Sequence, residues 1–498
     1  MAMMMGAFMQ SLDNTSVVPA LPMMQGNLGA SPDEINWVGT GYILSTVVVL
    51  PMSAWLSYRF GRKRYLLGSI LLFTSACTLC GLSDSLETLV FWRIVEGACG
   101  AGLMSIGQST ILEVFPRKQS VLVQTIFSFG IMTAPTVGPA FGGWMVDNYS
   151  WQYIFLTKFP IGIIIAYLIG RYLHDSPRQN ASSAIDWMGI GLLGVGLGSL
   201  QYVLEEGQRY DWFDDASITR ISVIAAICLT AFIAWELRRG NTAPVVELRV
   251  LKDRGLAAGV LLTTLVGFAI YSTTYMFPMF VQNILRFTPT ESGMSLVPGG
   301  VVMGFAVLVS GQLMRRGVDA RYLILLGIPI FILSMWYMGH LSSLSGYDDA
   351  QIGLILRGLS LGFISTPITV AAFAGLRGRQ IPAGAGLLNL CRQLGGSFGI
   401  ALLSSYVQSM AVLHRTTLVS RLATTNQGLS ARVSATCGAL TMKGMNPSAA
   451  HAAALALVDR AVQRQAMTIA YNNAYLLVGV VFAVLIPSVF LFKRKPSF

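Results

Sequence analysis

The chain has 498 residues, of which 54% are hydrophobic and only 11% are charged, and its formal net charge is +11. Soluble domains carry roughly a quarter charged residues, so most of this chain cannot face water. A positive net charge can indicate a nucleic-acid partner. Here the basic residues lie in short segments between apolar runs, which indicates orientation in a membrane and no nucleic acid.

Apolar runs of about 20 residues recur along the chain, and each is long enough to cross a bilayer as a helix. The runs are continuous rather than alternating, which predicts an all-α membrane protein. We predict about fourteen spans, at residues 1–22, 37–56, 65–82, 89–112, 121–146, 152–173, 186–205, 218–236, 256–283, 292–314, 322–343, 350–374, 382–411 and 469–492.

The loops between these spans alternate in charge. One set is basic, from Arg59–Arg64 after the second span to Lys493–Lys495 after the last, and the short loops of the other set hold few basic residues. The positive-inside rule therefore places the first set and both termini in the cytoplasm. The long segment 412–468 is predicted outside, and its alanine-rich stretch Ala449–Ala466 is predicted to be helical. The segment is either a tether between spans, a small external cap or a docking surface.

An internal repeat divides the chain into halves. Gly138–Gly142 and Gly395–Gly399 share the same glycine spacing, and Arg93 and Arg357 lie at similar positions in their spans. Parallel halves of this kind form a substrate path at their interface. We predict an N-terminal six-helix bundle at 1–173, two additional spans with cytoplasmic linkers at 174–255, and a C-terminal six-helix bundle at 256–498 that includes a long periplasmic loop at 412–468.

The predicted spans of the N-terminal half contain the charged residues Asp13, Arg93 and Glu96. A carboxylate is costly inside a membrane and so indicates function, although a helix-end aspartate in contact with water is the alternative for Asp13. Desolvation favours the neutral acid, which lets such a group bind and release protons near neutral pH. Arg93 and Glu96 are three residues apart on one helical face and can pair. Glu96 is either a second protonatable group or the neutraliser of Arg93.

Other polar residues in the spans have less specific interpretations. Lys158 is expected to extend its ammonium group outward to the membrane surface, with a role in coupling as the alternative. Cys77 and Cys80 are interpreted as packing residues, and the scattered histidines predict no metal site. Candidates for lining the central cavity, with core packing as the alternative, are Gln108, Arg357, Asn389 and Arg392.

Four segments together resemble the major facilitator superfamily, and within it the fourteen-span drug:proton antiporter branch (DHA2), the EmrB/QacA type. Leu12–Pro22 is similar to the first-helix signature of that branch, and Leu56–Arg64 is similar to the superfamily's loop after the second span. Arg93–Gly102 resembles the RxxQG signature, with Glu96 in place of Gln. Ala134–Gly143 resembles the antiporter signature GxxxGPxxGG, with Ala134 in place of the first Gly.

The resemblance implies a role for each motif. Asp13, Arg93 and Glu96 would couple transport to protons. The loop residues Arg59, Gly61, Arg62 and Lys63 would gate the conformational change, although Tyr58 stands where the family has an acid. The antiporter motif, which marks exporters in the family, comprises Pro135, Gly138, Pro139, Gly142 and Gly143.

The resemblance also implies a fold and a function. The fold is the major facilitator fold of two six-helix bundles plus two extra transmembrane helices, in a bacterial inner membrane. The function is export of small hydrophobic drugs or toxic compounds by alternating access, with a proton gradient as the energy source and no cofactor. Partners are the small-molecule substrate, protons and membrane lipid and, in Gram-negative relatives, a periplasmic adaptor and an outer-membrane channel.

Three alternatives stay open at this point. An exporter of an endogenous metabolite or siderophore would share every motif. A channel would lack coupling to protons. An intramembrane enzyme would need a catalytic cluster, which the few histidines and isolated serines argue against. The first apolar run begins at Met1 without the cytoplasmic lead-in common in the branch, so the natural chain is expected to start a few residues upstream.

Overall fold

The computed structural model describes residues 2–116, 119–173, 186–238, 244–378, 380–422 and 427–483. Regular structure in these residues is helical, without strands, which confirms the all-α prediction. The helices of the N-terminal half are Ala2–Ser16 (α1), Leu21–Leu28 (α2), Pro32–Ile35 (α3), Trp37–Val49 (α4), Ser53–Phe60 (α5), Arg62–Gly81 (α6), Leu86–Val114 (α7), Ser120–Asn148 (α8), Gln152–Leu156 (α9) and Lys158–Tyr172 (α10). The later helices are Trp187–Glu206 (α11), Ala216–Leu237 (α12), Arg254–Phe280 (α13), Pro289–Arg315 (α14), Ala320–Met338 (α15), Tyr347–Phe373 (α16), Gln380–Arg421 (α17), Gln427–Met442 (α18) and Pro447–Ala483 (α19).

Thirteen helical segments in the described residues are long and apolar enough to cross a membrane. The first predicted span is the exception. Its helix α1 has 15 residues, about 22 Å at 1.5 Å per residue, and continues through a 3-10 turn, Val18–Ala20, into α2. The break follows from Pro19 and Pro22, which lack the N–H that a continuous helix needs. Counting this broken element, the fold has about fourteen spans, as predicted.

The segment 412–468 is the main correction to the sequence-based description. It is mostly helical rather than a loop, because α17 continues to Arg421, α18 follows, and α19 begins at Pro447. Arg415 Nη2 lies 2.7 Å from Asp459 Oδ1 and links the extended parts of α17 and α19. The helix predicted at Ala449–Ala466 lies within α19 and is confirmed, and the role of the segment as a tether, cap or docking surface stays a prediction. The end of the last predicted span and Lys493–Lys495 lie outside the described residues.

Polar side chains cap the helices where they leave the apolar region. Ser31 with Glu34 and Thr288 with Glu291 form capping boxes that satisfy the free N–H groups of a first turn. Asp215 accepts hydrogen bonds from the N–H groups of Ser217 and Ile218 at the start of α12, and these bonds lower the pKa of its carboxyl group. Such caps end a span without leaving unpaired backbone donors.

The helices pack in two groups that meet along two seams. In the first group α1 lies against α7 and α8, and in the second α13 lies against α16 and α17. The seams pair α8 with α14 and α7 with α17, while α11 contacts α12, α4 and α17. The exact division at 1–173, 174–255 and 256–498 stays a prediction. We call the end of the helices at the α5–α6 junction, residues 60–62, the basic face, and the opposite end the far face.

Glycines set the closest helix contacts, and they do so in the same way in both halves. A methyl group at Gly142 of α8 would overlap the carbonyl oxygen of Ser16 at the end of α1. A methyl group at Gly395 of α17 would likewise overlap the carbonyl oxygen of Thr264 in α13. Small residues that let backbones approach drive helix association in membranes, where apolar burial gives little net gain. The repeated spacing seen in the sequence therefore corresponds to repeated packing.

Replacing Gly142 by alanine tests this packing. The added methyl group has no room against Ser16, so Gly142→Ala should lower the melting temperature of the purified protein. Gly170→Ala is the matched control, because Gly170 is also helical and a methyl group there meets nothing within 4 Å. Alanine favours the helix at such a site. Thermal unfolding in detergent compares the two variants, and equal melting temperatures would contradict the close α1–α8 contact.

Candidate functional site

Helices α1, α7 and α10 bring four charged side chains together, which we call the charge cluster: Asp13, Arg93, Glu96 and Lys158. Each of these residues is at most 1% exposed. Arg93 Nη1 donates to Asp13 Oδ2 at 2.6 Å and to Glu96 Oε2 at 2.8 Å. Lys158 Nζ donates to the other oxygen of Asp13. Asp13 is thus shared by two cations that come from two different helices.

The surroundings of the cluster exclude water and hold Arg93 in place. Arg93 Nε donates to the carbonyl oxygen of Val38 at 3.0 Å, and its Cζ lies 4.3 Å from the ring centroid of Tyr42. Lys158 Nζ lies 5.1 Å from the ring centroid of Phe155. Cations over aromatic faces are stabilised by the ring's quadrupole, and more so when they are desolvated. The position of each cation is therefore fixed by several contacts.

The cluster is electrically balanced, with two carboxylates and two cations. A balanced arrangement is required because an uncompensated charge inside a protein costs several kcal/mol. Adding one proton to Asp13 would leave Arg93 paired with Glu96 and Lys158 without an acid. Asp13 thus supplies the negative charge with which α1 pairs with cations on both α7 and α10.

Two thiols complete the surroundings of Glu96. Cys77 Sγ lies 2.7 Å from Glu96 Oε1, and Cys80 Sγ lies 3.5 Å from Glu96 Oε2. Both cysteines are free thiols. They do more than fill space, because a thiol can donate a weak hydrogen bond to a carboxylate. Apart from the helical spacing of the two cysteines, no pattern in the sequence indicates this contact.

Asp13, Cys77 and Glu96 place their ligand atoms within 4.8 Å of one another, close enough to consider a metal ion. However, the carboxylate oxygens of Asp13 and Glu96 already face Arg93, Lys158 and Cys77. A metal cation would have to displace two cations and a thiol. The carboxylate oxygens of Asp13 and Glu96 are thus already engaged by donors of the protein.

The expectation that Lys158 extends outward to the membrane surface is wrong. The side chain is buried and points to Asp13, because a carboxylate inside the bundle attracts the ammonium group more strongly than a distant surface does. The sequence placed both residues in spans, but it did not indicate which helices are neighbours. Only the packing of α1 against α10 identifies the pair.

The antiporter motif lies against the turn of α1 that carries Asp13. Gly138 faces Leu12 and Thr15, and Gly142 faces Ser16. Pro135, Pro139 and Gly143 are buried in α8, which continues unbroken from Ser120 to Asn148. On the other side of α8, a methyl group at Gly293 of α14 would lie 2.9 Å from Ala140 Cα. Helix α8 is thus held between the turn of α1 with Asp13 and the second group of helices.

The predicted gating loop lies at the basic face. Gly61 joins α5 to α6 with φ of 87°, a backbone conformation that favours glycine. Arg59 is in the last turn of α5, and Arg62 and Lys63 begin α6. Arg62 Nη2 pairs with Glu113 Oε2 near the end of α7. Glu113 therefore supplies an acid beside the loop, where Tyr58 replaced the acid expected from the family pattern.

The predicted cavity residues separate into two places. Asn389 Nδ2 of α17 donates to Gln108 Oε1 of α7 at 3.1 Å, which joins the two groups of helices near the basic face. Arg392 lies one turn further along α17. Arg357 lies elsewhere, in the second group, where its Nη1 donates to Thr273 Oγ1 of α13 at 2.9 Å. Gln108 and Asn389 thus lie along one seam. The backbone of Arg392 packs against Gly267 of α13, and Arg357 bonds Thr273 of α13, both within the second group.

Comparisons with known proteins agree with this architecture. Residues 3–400 match the family model of the Major Facilitator Superfamily. The fatty acid resistance protein FarB of Neisseria gonorrhoeae is 29% identical over 99% of this chain and 95% of its own length. The multidrug export protein EmrB of Haemophilus influenzae is 30% identical over 85% of this chain and 82% of its own. EmrB of Escherichia coli K12 is 26% identical over 100% of this chain and 95% of its own length.

Solved structures show the same fold. The human organic anion transporter MFSD10 (TETRAN) aligns with a TM-score of 0.58 at 14% identity, over 97% of this chain and 98% of that chain. A bacterial homologue of the human lysosomal transporter Spinster, in an inward-facing conformation, aligns with a TM-score of 0.57 at 14% identity. Matches at this identity establish the architecture and say nothing about substrates.

The all-α multi-pass architecture, the match to the family model and the similarity to export proteins over nearly the whole chain lead to one assignment. The protein is a transporter of small molecules rather than an enzyme, and it belongs to the major facilitator superfamily.

Proposed function

We propose that the chain is a proton-coupled exporter of small hydrophobic compounds and that Asp13 is the proton-binding group. The observation that carries the proposal is the double pairing of Asp13 with Arg93 and Lys158, away from water. Protonation removes the only negative charge that α1 contributes to the cluster. A group with this position converts proton binding into a change in how α1 is held.

The packing of α8 gives this change a route to the rest of the protein. Gly138 and Gly142 contact the turn of α1 around Asp13, and the opposite side of α8 contacts α14 at Gly293. A shift of that turn must move α8 or break the contact, because neither side has spare room. Since α8 and α14 form one seam between the two groups of helices, Asp13 protonation would bias their relative position.

The basic face supplies the contacts that would break when the cavity opens there. Arg62 pairs with Glu113 within the first group, and Gln108 bonds Asn389 across the second seam. In the proposed cycle, substrate and protons favour different conformations, and the gradient sets the direction of transport. We propose Arg59, Gly61, Arg62 and Lys63 as the gate.

The cellular setting belongs to the same proposal. We place the protein in a bacterial inner membrane with both termini in the cytoplasm, because the basic loops share one face. The names of the relatives refer to multidrug export and to fatty acid resistance. These names favour apolar compounds as substrates rather than an endogenous metabolite or siderophore. A periplasmic adaptor and an outer-membrane channel are proposed partners, with the extension formed by α17–α19 as the docking place for the adaptor.

Replacing Asp13 by asparagine should abolish gradient-driven transport. Asparagine keeps the shape of the side chain but cannot exchange a proton, so efflux in proteoliposomes should fall to the rate seen without a pH gradient. Asp348→Asn is the control, because Asp348 is an exposed carboxylate at the start of α16 and should leave coupling intact. Full gradient dependence in Asp13→Asn would rule out Asp13 as the proton site.

A second variant separates coupling from folding. Asp13→Asn leaves one uncompensated positive charge in the cluster, which costs roughly 3–5 kcal/mol when a buried partner is lost. The double variant Asp13→Asn with Lys158→Gln restores neutrality and should therefore recover the melting temperature without recovering proton coupling. Recovery of coupling in this double variant would contradict the proposal.

Exchanging the charges of Arg62 and Glu113 tests the gate. Arg62→Glu places two acids together and should slow efflux severalfold, whereas Arg62→Glu with Glu113→Arg re-forms the pair and should restore the rate. Arg64→Glu is the control for net charge, because Arg64 is exposed on the same turn. The pair is partly exposed and contributes only about 0.2–1 kcal/mol to stability. An unchanged rate in Arg62→Glu would remove this pair from the gating mechanism.

A further inference from the structure

A groove of about 500 Å³ lies between α5, α6 and α7 in the first group of helices. We call it the α5–α6 groove, and its lining includes Leu56, Arg59, Arg64, Gly68, Leu72 and Cys99. Its volume is within the roughly 300–1,000 Å³ that is usual for sites that bind small molecules. None of these residues belongs to the charge cluster, so the groove needs a separate explanation.

The groove opens toward the membrane and not toward the interior of the protein. On its rim, Phe60 and Leu72 are 55% and 58% exposed. Behind it, Tyr65 closes the contact between α6 and α7, because a methyl group at Gly102 would overlap the hydroxyl group of Tyr65. Leu66, on the other side of α6, is fully buried. An occupant therefore enters from the lipid rather than along the transport path.

The lining of the groove changes from charged to apolar with depth in the membrane. Arg59 lies in the last turn of α5 and Arg64 in the first turn of α6, both at the basic face. Gly68 and Leu72 follow Arg64 at intervals of four residues and therefore share one face of α6. Leu72 lies about 12 Å from Arg64 along the helix axis, at 1.5 Å per residue. Charge at the membrane surface above an apolar slot is the order of polarity of a phospholipid.

Both arginines at the mouth of the groove are available to an anion. Arg59 and Arg64 are exposed, and neither has an ion-pair partner among the described residues. Glu113, the acid beside this loop, is already paired with Arg62. The described lining holds no acid, and Tyr58 stands where the family pattern has one. The mouth of the groove is therefore positively charged.

We propose that the α5–α6 groove binds an anionic phospholipid from the leaflet at the basic face. Arg59 and Arg64 hold the phosphodiester of the head group, since guanidinium groups pair with phosphate oxygens through parallel hydrogen bonds. One acyl chain lies over Gly68 and along Leu72. Basic pockets between transmembrane helices select anionic lipids in this way. The bound lipid ties the end of α5 to the start of α6, across the turn at Gly61.

The test compares phosphatidylglycerol with phosphatidylcholine that carries the same acyl chains. Each lipid is titrated into the delipidated full-length protein in detergent, and native mass spectrometry measures the bound fraction. The parent should bind one phosphatidylglycerol at least about tenfold more tightly than phosphatidylcholine, the difference expected for hydrogen bonds between charged groups. Phosphatidylglycerol should also raise the melting temperature of the parent, because a ligand stabilises the folded state that binds it.

Two variants probe the two ends of the groove, and each has a matched control. Arg64→Gln should weaken the binding of phosphatidylglycerol severalfold, whereas Arg171→Gln, which removes an exposed arginine from the last turn of α10 at the same face, should not. Gly68→Leu should abolish the binding, because the new side chain fills the groove. A Cβ atom at Gly68 meets nothing within 4 Å, so the fold is kept. Gly170→Leu, at an equally open glycine outside the groove, should bind the lipid as the parent does.

Three results would overturn the proposal. The first is equal affinity of the parent for the two lipids. The second is an equal loss in Arg64→Gln and Arg171→Gln, which would show that any surface arginine attracts the lipid. The third is displacement of phosphatidylglycerol by inorganic phosphate or by oleate at the same concentration, which would indicate a site for free phosphate or for a fatty acid. No step of the measurement involves transport or a proton gradient, so its outcome is independent of the proposed export function.

Discussion

The attraction between Asp13 and the two cations on α7 and α10 is the constraint on which the rest of the structure depends. Charges of opposite sign interact much more strongly inside a protein than in water, and each costs several kcal/mol if it is left alone there. Lys158 can therefore be buried as a cation only while Asp13 or an equivalent charge pairs with it, whereas Arg93 keeps Glu96 as a second partner. In the proposed mechanism, one proton on Asp13 would change how α1 is attached to α7 and α10.

Close backbone contacts carry this local change outward. Gly138 and Gly142 leave no free space between α1 and α8, and Gly293 does the same between α8 and α14. Packed interfaces of this kind respond in discrete steps rather than by gradual deformation. The halves share this glycine packing but not their charges. The first half pairs its buried cations with carboxylates, whereas the described residues place no carboxylate in ion-pair contact with Arg357 or Arg392 of the second half.

The sequence predicted the parts of the structure that depend on local pattern. Spans follow from runs of apolar residues, and the pairing of Arg93 with Glu96 follows from helical spacing. Lys158 was misjudged because its partner is 145 residues away in the chain, and no local pattern reports that α10 packs on α1. The contact of Arg62 with Glu113 and that of Gln108 with Asn389 were missed for the same reason. The extension of α17 to Arg421 was missed because hydropathy detects membrane crossing, whereas a more polar helix can continue beyond the membrane. The alanine-rich start of α19 was predicted as a helix from its propensity.

The most direct test of the central claim is the distance between the two groups of helices as a function of pH. Spin labels carried by noncanonical amino acids at Asn27 and at Leu344, both exposed near the far face, avoid thiol chemistry at Cys77 and Cys80, which contact Glu96. Pulsed electron paramagnetic resonance should show that the distribution of distances between the two labels shifts in the parent protein as the pH falls. The Asp13→Asn variant should give one distribution at every pH, whereas a shift equal to that of the parent would contradict the account.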